Sequence, residues 1–170
     1  MKNRKLIFLD INNVVYKNDE VNKQAMEALE ILVRETKASI VITSSWRRFM
    51  SLKEIKNKFP KSLRKSILDT TPMIDLHIRH EWRIYPYEKK DYYPPTRKSQ
   101  RGLEIRLWLQ SNKDKLGCKI SKFKSYVILD DSNHGIMLDQ NAFYYRIGKE
   151  TGLTLLDVND LIEILNTKDE

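Results

Sequence analysis

Residues 5–15 read KLIFLDINNVV, in which four apolar residues, Leu6 to Leu9, run unbroken and stop at Asp10. A run this short and this continuous predicts a strand covered on both faces rather than one with a wet side. Working outward from it, Val21 to Lys37 has helical spacing, with Val21, Ala25, Met26, Leu29, Leu32 and Val33 on one stripe. Ala38 to Ile42 is a second β-branched run and ends in Thr43-Ser44-Ser45. Phe49 to Phe59 returns to helical spacing before Pro60, and Ser66 to Leu68 reads as a short strand. Ser99 to Ser111 predicts an amphipathic helix carrying Leu103, Ile105, Leu107, Trp108 and Leu109. Tyr126 to Leu129 is a buried-type strand ending in Asp130-Asp131, Ala142 to Ile147 reads as another strand, and Asp157 to Leu165 as a closing helix.

Alternation of strands and helices, with unbroken apolar strands, predicts an α/β fold: a three-layer, Rossmann-like parallel sheet with helices on both faces. In such sheets ligands bind beyond the carboxyl ends of the strands. The residues that terminate the strands therefore carry the functional information, and here they are Asp10, Thr43, Asp130 and Asp131. The 170 residues fit one domain, 1–170. His77 to Arg101 breaks the pattern, with seven Lys or Arg, three acids, five aromatics and three prolines. Its core, 77–98, reads as an insertion or flap, and no large cap domain is expected. Aromatics stack on bases and cations track phosphates, so this basic, aromatic stretch is the candidate selector of substrate. A proline-rich flap that covers the core is the plainer reading.

Composition narrows the classes. Cys118 is the only cysteine, which rules out an intrachain disulfide and CxxC zinc sites. No apolar run is long enough to span a membrane. The basic-then-apolar start resembles a signal peptide, but Asp10 interrupts it too soon. A cytoplasmic location is the expectation. The net charge of +8 favours a polyanionic partner such as nucleic acid or a phosphorylated ligand, although a merely basic soluble protein would carry the same charge.

If the strands are parallel neighbours, Asp10, Asp130 and Asp131 converge at one edge. Clustered carboxylates repel one another unless a cation sits among them. Hard oxygen ligands suit Mg²⁺, which commonly also binds substrate phosphate. Thr43 adds a hydroxyl, the N–H groups that follow it at Ser44 and Ser45 are phosphate ligands, and Lys98 or Arg101 offers a cation. An isolated Asp after a strand is more often a helix cap or a turn former. The ordered set points instead to phosphoryl transfer.

These segments resemble a known family. IFLDINNVV resembles the first motif of the haloacid dehalogenase (HAD) superfamily, hhhDxDGxx. IVITSSWR resembles its second, and YVILDD its fourth. RGLEIRLWL and the GLT of Gly152–Thr154 resemble a compact branch that includes the HAD domains of Swiss Army Knife RNA repair proteins. The resemblance implies a Mg²⁺-dependent phosphatase that forms an aspartyl-phosphate on Asp10. Asp10, the backbone carbonyl of Asn12 and Asp130 would bind the metal, with Asp131 close behind. Thr43 and the Ser44 N–H would hold the transferring phosphoryl group. Arg101 fits the third-motif cation best, with Lys98 the alternate. It also implies a phosphorylated substrate, and suggests RNA or DNA ends.

One departure stands out: the family's second acid is Asn12 here, and the glycine after it is Asn13. An amide cannot supply the proton that the acid gives the leaving group, and such help is commonly worth about 10²–10⁴-fold. Three readings follow: a slow phosphatase for good leaving groups, a phosphotransferase whose aspartyl-phosphate persists, or a weakened scaffold that binds nucleic acid or a phosphorylated ligand. A phosphoprotein phosphatase is a further option that no residue selects. Among other candidates, Arg47 reads either as a phosphate ligand or as a surface ion pair. His77 and His80 have metal-like spacing but read as loop residues rather than zinc ligands, His134 as a remote candidate for proton transfer in place of Asn12, Asp139 as a helix-surface residue rather than a fourth-motif helper, and Trp108 as core.

Overall fold

A computed structural model describes residues 4–74, 100–116, 125–133 and 135–167. The predicted insertion at 77–98, and with it Lys98, His77 and His80, lies outside the described residues, as do Cys118 and His134. The chain opens with β1 (Leu6–Leu9), a small antiparallel hairpin of β2 (Tyr16–Lys17) and β3 (Glu20–Val21), and α1 (Lys23–Thr36). Then come β4 (Ser39–Ile42), a 3₁₀ turn (Ser45–Arg48), α2 (Leu52–Asn57), α3 (Lys61–Arg64) and β5 (Ile67–Thr70). The remainder is α4 (Arg101–Ser111), α5 (Lys113–Leu116), β6 (Tyr126–Asp130), a 3₁₀ stretch (Leu138–Phe143), β7 (Tyr144–Arg146) and α6 (Leu155–Thr167).

The main sheet has the order β5-β4-β1-β6-β7, and every pairing in it is parallel. Side chains alternate across it, as the two-residue period of a strand requires. Ile7 and Leu9, with Ile40, Ile42, Val127 and Leu129, pack under α1 and α6 through Ala25, Leu29, Leu32, Val158, Leu161 and Leu165. Leu6 and Phe8, with Val41, Tyr126 and Ile128, pack on the opposite face under Ile105, Trp108 and Leu109 of α4. Both faces are covered, which is why β1, β4 and β6 read as unbroken apolar runs. This is the three-layer α/β architecture expected, and among the described residues it carries no cap domain. No described helix is long and apolar enough to cross a membrane.

Several boundaries differ from the pattern read in the sequence. Val21 belongs to β3 rather than to the α1 stripe, and it is exposed. Asn22 caps α1 instead, its side chain accepting from the Ala25 N–H at 3.1 Å. The segment 49–59 is not one helix: the chain turns at Phe49, and Ser51 and Glu54 form a capping box that starts α2 afresh. On α4, Ile105, Trp108 and Leu109 are buried but Leu103 and Leu107 are exposed. Trp108 is core, edge-on to Phe8 at 5.6 Å, with its indole N–H donating to Asp69 at 2.8 Å.

Candidate active site

Register builds the site. β1 pairs with β4 as Leu9↔Ile42 and with β6 as Leu9↔Leu129, so the next residue on each strand reaches the same level. Those residues are Asp10, Thr43 and Asp130. Backbone bonds fix the alignment: the Asp10 N–H donates to the Leu129 carbonyl at 3.0 Å, and the Thr43 N–H to the Leu9 carbonyl at 2.9 Å. From β1 the chain moves on to β4 on one side, while β6 and β7 lie on the other. The site therefore stands at the switch point of the sheet, the place where sheets of this kind form a ligand crevice.

Asp10 and Asp130 are buried, and Asp131 is half-buried beside them. Each can offer one carboxylate oxygen, and these three oxygens lie within 4.8 Å of one another. Three hard oxygen donors this close fit a divalent cation such as Mg²⁺. Asp130 is held by the Ser132 N–H, which donates to its Oδ1 at 2.9 Å. Asp131 is held by Asn13, whose Nδ2 donates to its Oδ2 at 3.0 Å. Asn13 has φ +58°, a left-handed turn that favours glycine and that asparagine tolerates better than most residues. Asparagine there keeps the turn and adds a tie to the acidic pair.

The first residue of α4, Arg101, reaches into this cluster. One Nη meets Asp130 Oδ2, and the other lies 3.4 Å from Asp10 Oδ1. Gly102 makes the reach possible. Its N–H donates to the Gly135 carbonyl at 2.8 Å, and a Cβ there would sit 2.7 Å from that same oxygen. Only a residue without a side chain lets α4 start this close to the loop after β6.

Three buried polar atoms in the site have no hydrogen-bond partner among the described residues: Thr43 Oγ1, on a residue that is 0% exposed, Arg101 Nε, and Asp130 Oδ2, which has only its ion-pair contact with Arg101. Buried polar atoms are nearly always paired, so an unpaired hydroxyl and guanidinium nitrogen beside carboxylates leave bonding capacity for an anion.

Thr43, Ser44 and Ser45 occupy the loop beyond β4. Ser44 is fully buried, with its Oγ accepting from the Trp46 N–H at 3.4 Å, and Ser45 is exposed. Arg47 lies next to them but is engaged elsewhere. Its Nε donates to the Ser44 carbonyl at 2.8 Å, Nη1 to the Thr71 and Pro72 carbonyls and to Thr71 Oγ1, and Nη2 to Glu104 at 2.9 Å. Burial pulls this guanidinium below its ordinary value, and the hydrogen bond and charge of Glu104 oppose the shift. An arginine stays protonated regardless. Arg47 thus forms a buried ion pair that ties the Thr43–Ser44 loop to α4 and to the chain leaving β5. Asp139 is at the surface, paired with Arg106 at 2.6 Å.

Trp46, Glu104 and Asn13 were not singled out as site residues in the sequence. Trp46 is the most consequential. Its Nε1–H donates to Asn12 Oδ1 at 3.0 Å, while its ring lies edge-on to Tyr16 at 4.9 Å. The Tyr16 hydroxyl in turn donates to the Lys58 carbonyl at 2.8 Å. The signal available was position alone, an aromatic three residues after Thr43.

Among known families, the one described as the HAD domain in Swiss Army Knife RNA repair proteins matches this chain over residues 6–158. Comparison with curated proteins and with solved structures gave no match.

Proposed function

This chain belongs to the family of HAD domains in Swiss Army Knife RNA repair proteins, and we propose that it is a Mg²⁺-dependent phosphohydrolase or phosphotransferase acting on the terminal phosphate of a nucleotide or nucleic acid. The observation that carries the reading is the level alignment of Asp10, Thr43 and Asp130, with Arg101 among the carboxylates and the Thr43 hydroxyl unpartnered. An Asp10 oxygen attacks phosphorus, and the bond to the leaving oxygen breaks with its electron pair on that oxygen. The product is an aspartyl-phosphate, which water or an acceptor hydroxyl then attacks to regenerate the carboxylate. Thr43 Oγ1 and the N–H groups of Ser44 and Ser45 donate to the phosphoryl oxygens. Arg101 neutralises their charge, as preorganised donors do where charge develops. Asp10, Asp130, Asp131 and the carbonyl of Asn12 would hold Mg²⁺, which supplies charge neutralisation at the phosphoryl oxygens.

Two observations support a nucleic-acid substrate. The chain carries a net charge of +8. The segment from Arg48 to Lys65 presents exposed Arg48, Lys53, Lys58, Lys61 and Lys65, with Phe49 83% exposed among them. The backbone of this segment connects to the site at the Lys58 carbonyl, through Tyr16, Trp46 and Asn12. Cations with an open aromatic face suit a single strand leaving the crevice. Asn12 favours a second reading, a weakened scaffold that binds the same phosphorylated ligand without turning it over.

Phosphate release from p-nitrophenyl phosphate, with and without Mg²⁺, separates the two, with end-phosphorylated oligonucleotides as competitors. The enzyme reading expects Mg²⁺-dependent release that Asp10→Ala removes. Silence from both the natural chain and Asn12→Asp would overturn it and favour the binding scaffold.

A further inference from the structure

We infer that Asn12 makes this a site for phosphoanhydrides: it takes the outer phosphoryl group from a phosphate-to-phosphate linkage, as at a 5′-triphosphorylated end, in preference to a phosphate ester. The inference rests on the phosphoryl-transfer reading above and names its substrate class.

The indole nitrogen of Trp46 can only donate. The atom it meets at 3.0 Å must therefore be the amide oxygen of Asn12, whichever way an amide is drawn. That bond fixes the amide. Its oxygen is occupied, and its Nδ2 hydrogens have no partner among the described residues. Asn12 is exposed and stands two residues beyond Asp10, so it offers N–H donors at the rim of the crevice. An amide N–H can stabilise charge on a leaving oxygen but cannot transfer a proton to it.

The other described groups at the site do not replace the missing acid. Asp131 is tied to Asn13, and Asp10 and Asp130 face Arg101. Arginine does not release a proton near neutral pH, and Thr43 is a simple alcohol. None of the described residues of the site is a general acid, and a site that lacks one discriminates by leaving group. When Asp10 displaces an alcohol, the bond to phosphorus breaks onto an alkoxide, a strong base that needs a proton as it departs. When Asp10 displaces a phosphate, the electron pair settles on an oxygen whose conjugate acid ionises near about 6. That group leaves as an anion without a proton, and amide N–H donors suffice for it. The same substitution slows the second half-reaction. Water attacking the aspartyl-phosphate must give its proton to solvent or to the phosphoryl group, because residue 12 cannot accept it. Phosphoenzyme then accumulates.

One oligonucleotide made in three forms tests this: 5′-triphosphorylated, 5′-monophosphorylated and 3′-phosphorylated. Phosphate and the oligonucleotide product are both followed with Mg²⁺ for the natural chain and for Asn12→Asp, which keeps an acceptor for the Trp46 N–H. The natural chain is expected to favour the triphosphorylated form at least about 100-fold in kcat/KM over both esters, with a burst of the diphosphorylated oligonucleotide, equal to the enzyme concentration, ahead of phosphate release. Asn12→Asp is expected to collapse that ratio by about 10²-fold or more, by raising ester turnover, and to remove the burst. Equal turnover of anhydride and esters by the natural chain, or a ratio that Asn12→Asp leaves in place, overturns the inference while leaving phosphoryl transfer intact. No release from any form by either protein overturns both.

Discussion

Two arginines with largely covered side chains are tied to α4 one helical turn apart, Arg47 from outside it and Arg101 as its first residue, and they are treated differently. Arg47 meets Glu104, with only 7% of either side chain exposed, and every guanidinium nitrogen of Arg47 donates to a protein oxygen. The other Glu104 oxygen accepts from the Ile74 N–H at 3.2 Å. Arg101, three residues before Glu104, meets two carboxylates but keeps Nε unpartnered, and Thr43 Oγ1 is unpartnered as well. A buried network stabilises when each member is satisfied and is costly when it is not. The completed pair therefore reads as an anchor and the incomplete cluster as a place held ready for a ligand. The anchor also serves the cluster, because it ties the Thr43–Ser44 loop to the helix that carries Arg101.

The contrast can be broken or sharpened by substitution, starting with the largest effect. Asp10→Ala is expected to lower turnover by on the order of 10⁴-fold or more while moving the urea midpoint little. A large fall in the midpoint as well would make Asp10 structural and erase the distinction. Glu104→Ala leaves the Arg47 charge buried and unpaired. It is expected to cost about 3–5 kcal/mol in urea unfolding, with much of that recovered in the double variant Arg47→Met, Glu104→Leu. A loss below about 1 kcal/mol would put the pair in the class of weak surface bridges. Arg101→Ala is expected to reverse the emphasis, with turnover down about 10²–10³-fold and a smaller stability loss than Glu104→Ala. Gly102→Ala places a methyl against the Gly135 carbonyl and Met137, and such overpacking costs about 1–3 kcal/mol in thermal unfolding. The smallest shift belongs to Thr43→Val. Replacing an unpartnered hydroxyl with a methyl should change stability by less than about 1 kcal/mol while turnover falls.

The same contrast marks what a sequence discloses. β1, β4 and β6 were legible because a strand covered on both faces has no polar positions to break its run. The level of Asp10, Thr43 and Asp130 follows from three parallel neighbouring strands. The β2–β3 hairpin was not legible, since two-residue strands carry no periodicity and Val21 continues the spacing of α1. Leu103 and Leu107 show the converse: an apolar residue on a helix need not face the core. Arg47 left two readings open because its partners lie far along the chain, at Thr71 and Glu104, and no local spacing links them. The role of Trp46 is hidden for the same reason. Its role depends on a 34-residue separation from Asn12 that only the parallel pairing of β1 and β4 closes.

The central claim is that Asp10 is a nucleophile toward phosphorus, and covalent labelling tests it most directly. The protein is incubated with acetyl phosphate and Mg²⁺, quenched in acid, trapped with hydroxylamine and mapped by peptide mass spectrometry. The account predicts one modified carboxylate, Asp10, and no modification in Asp10→Asn. Modification confined to another residue, or none at any Mg²⁺ concentration, would contradict it.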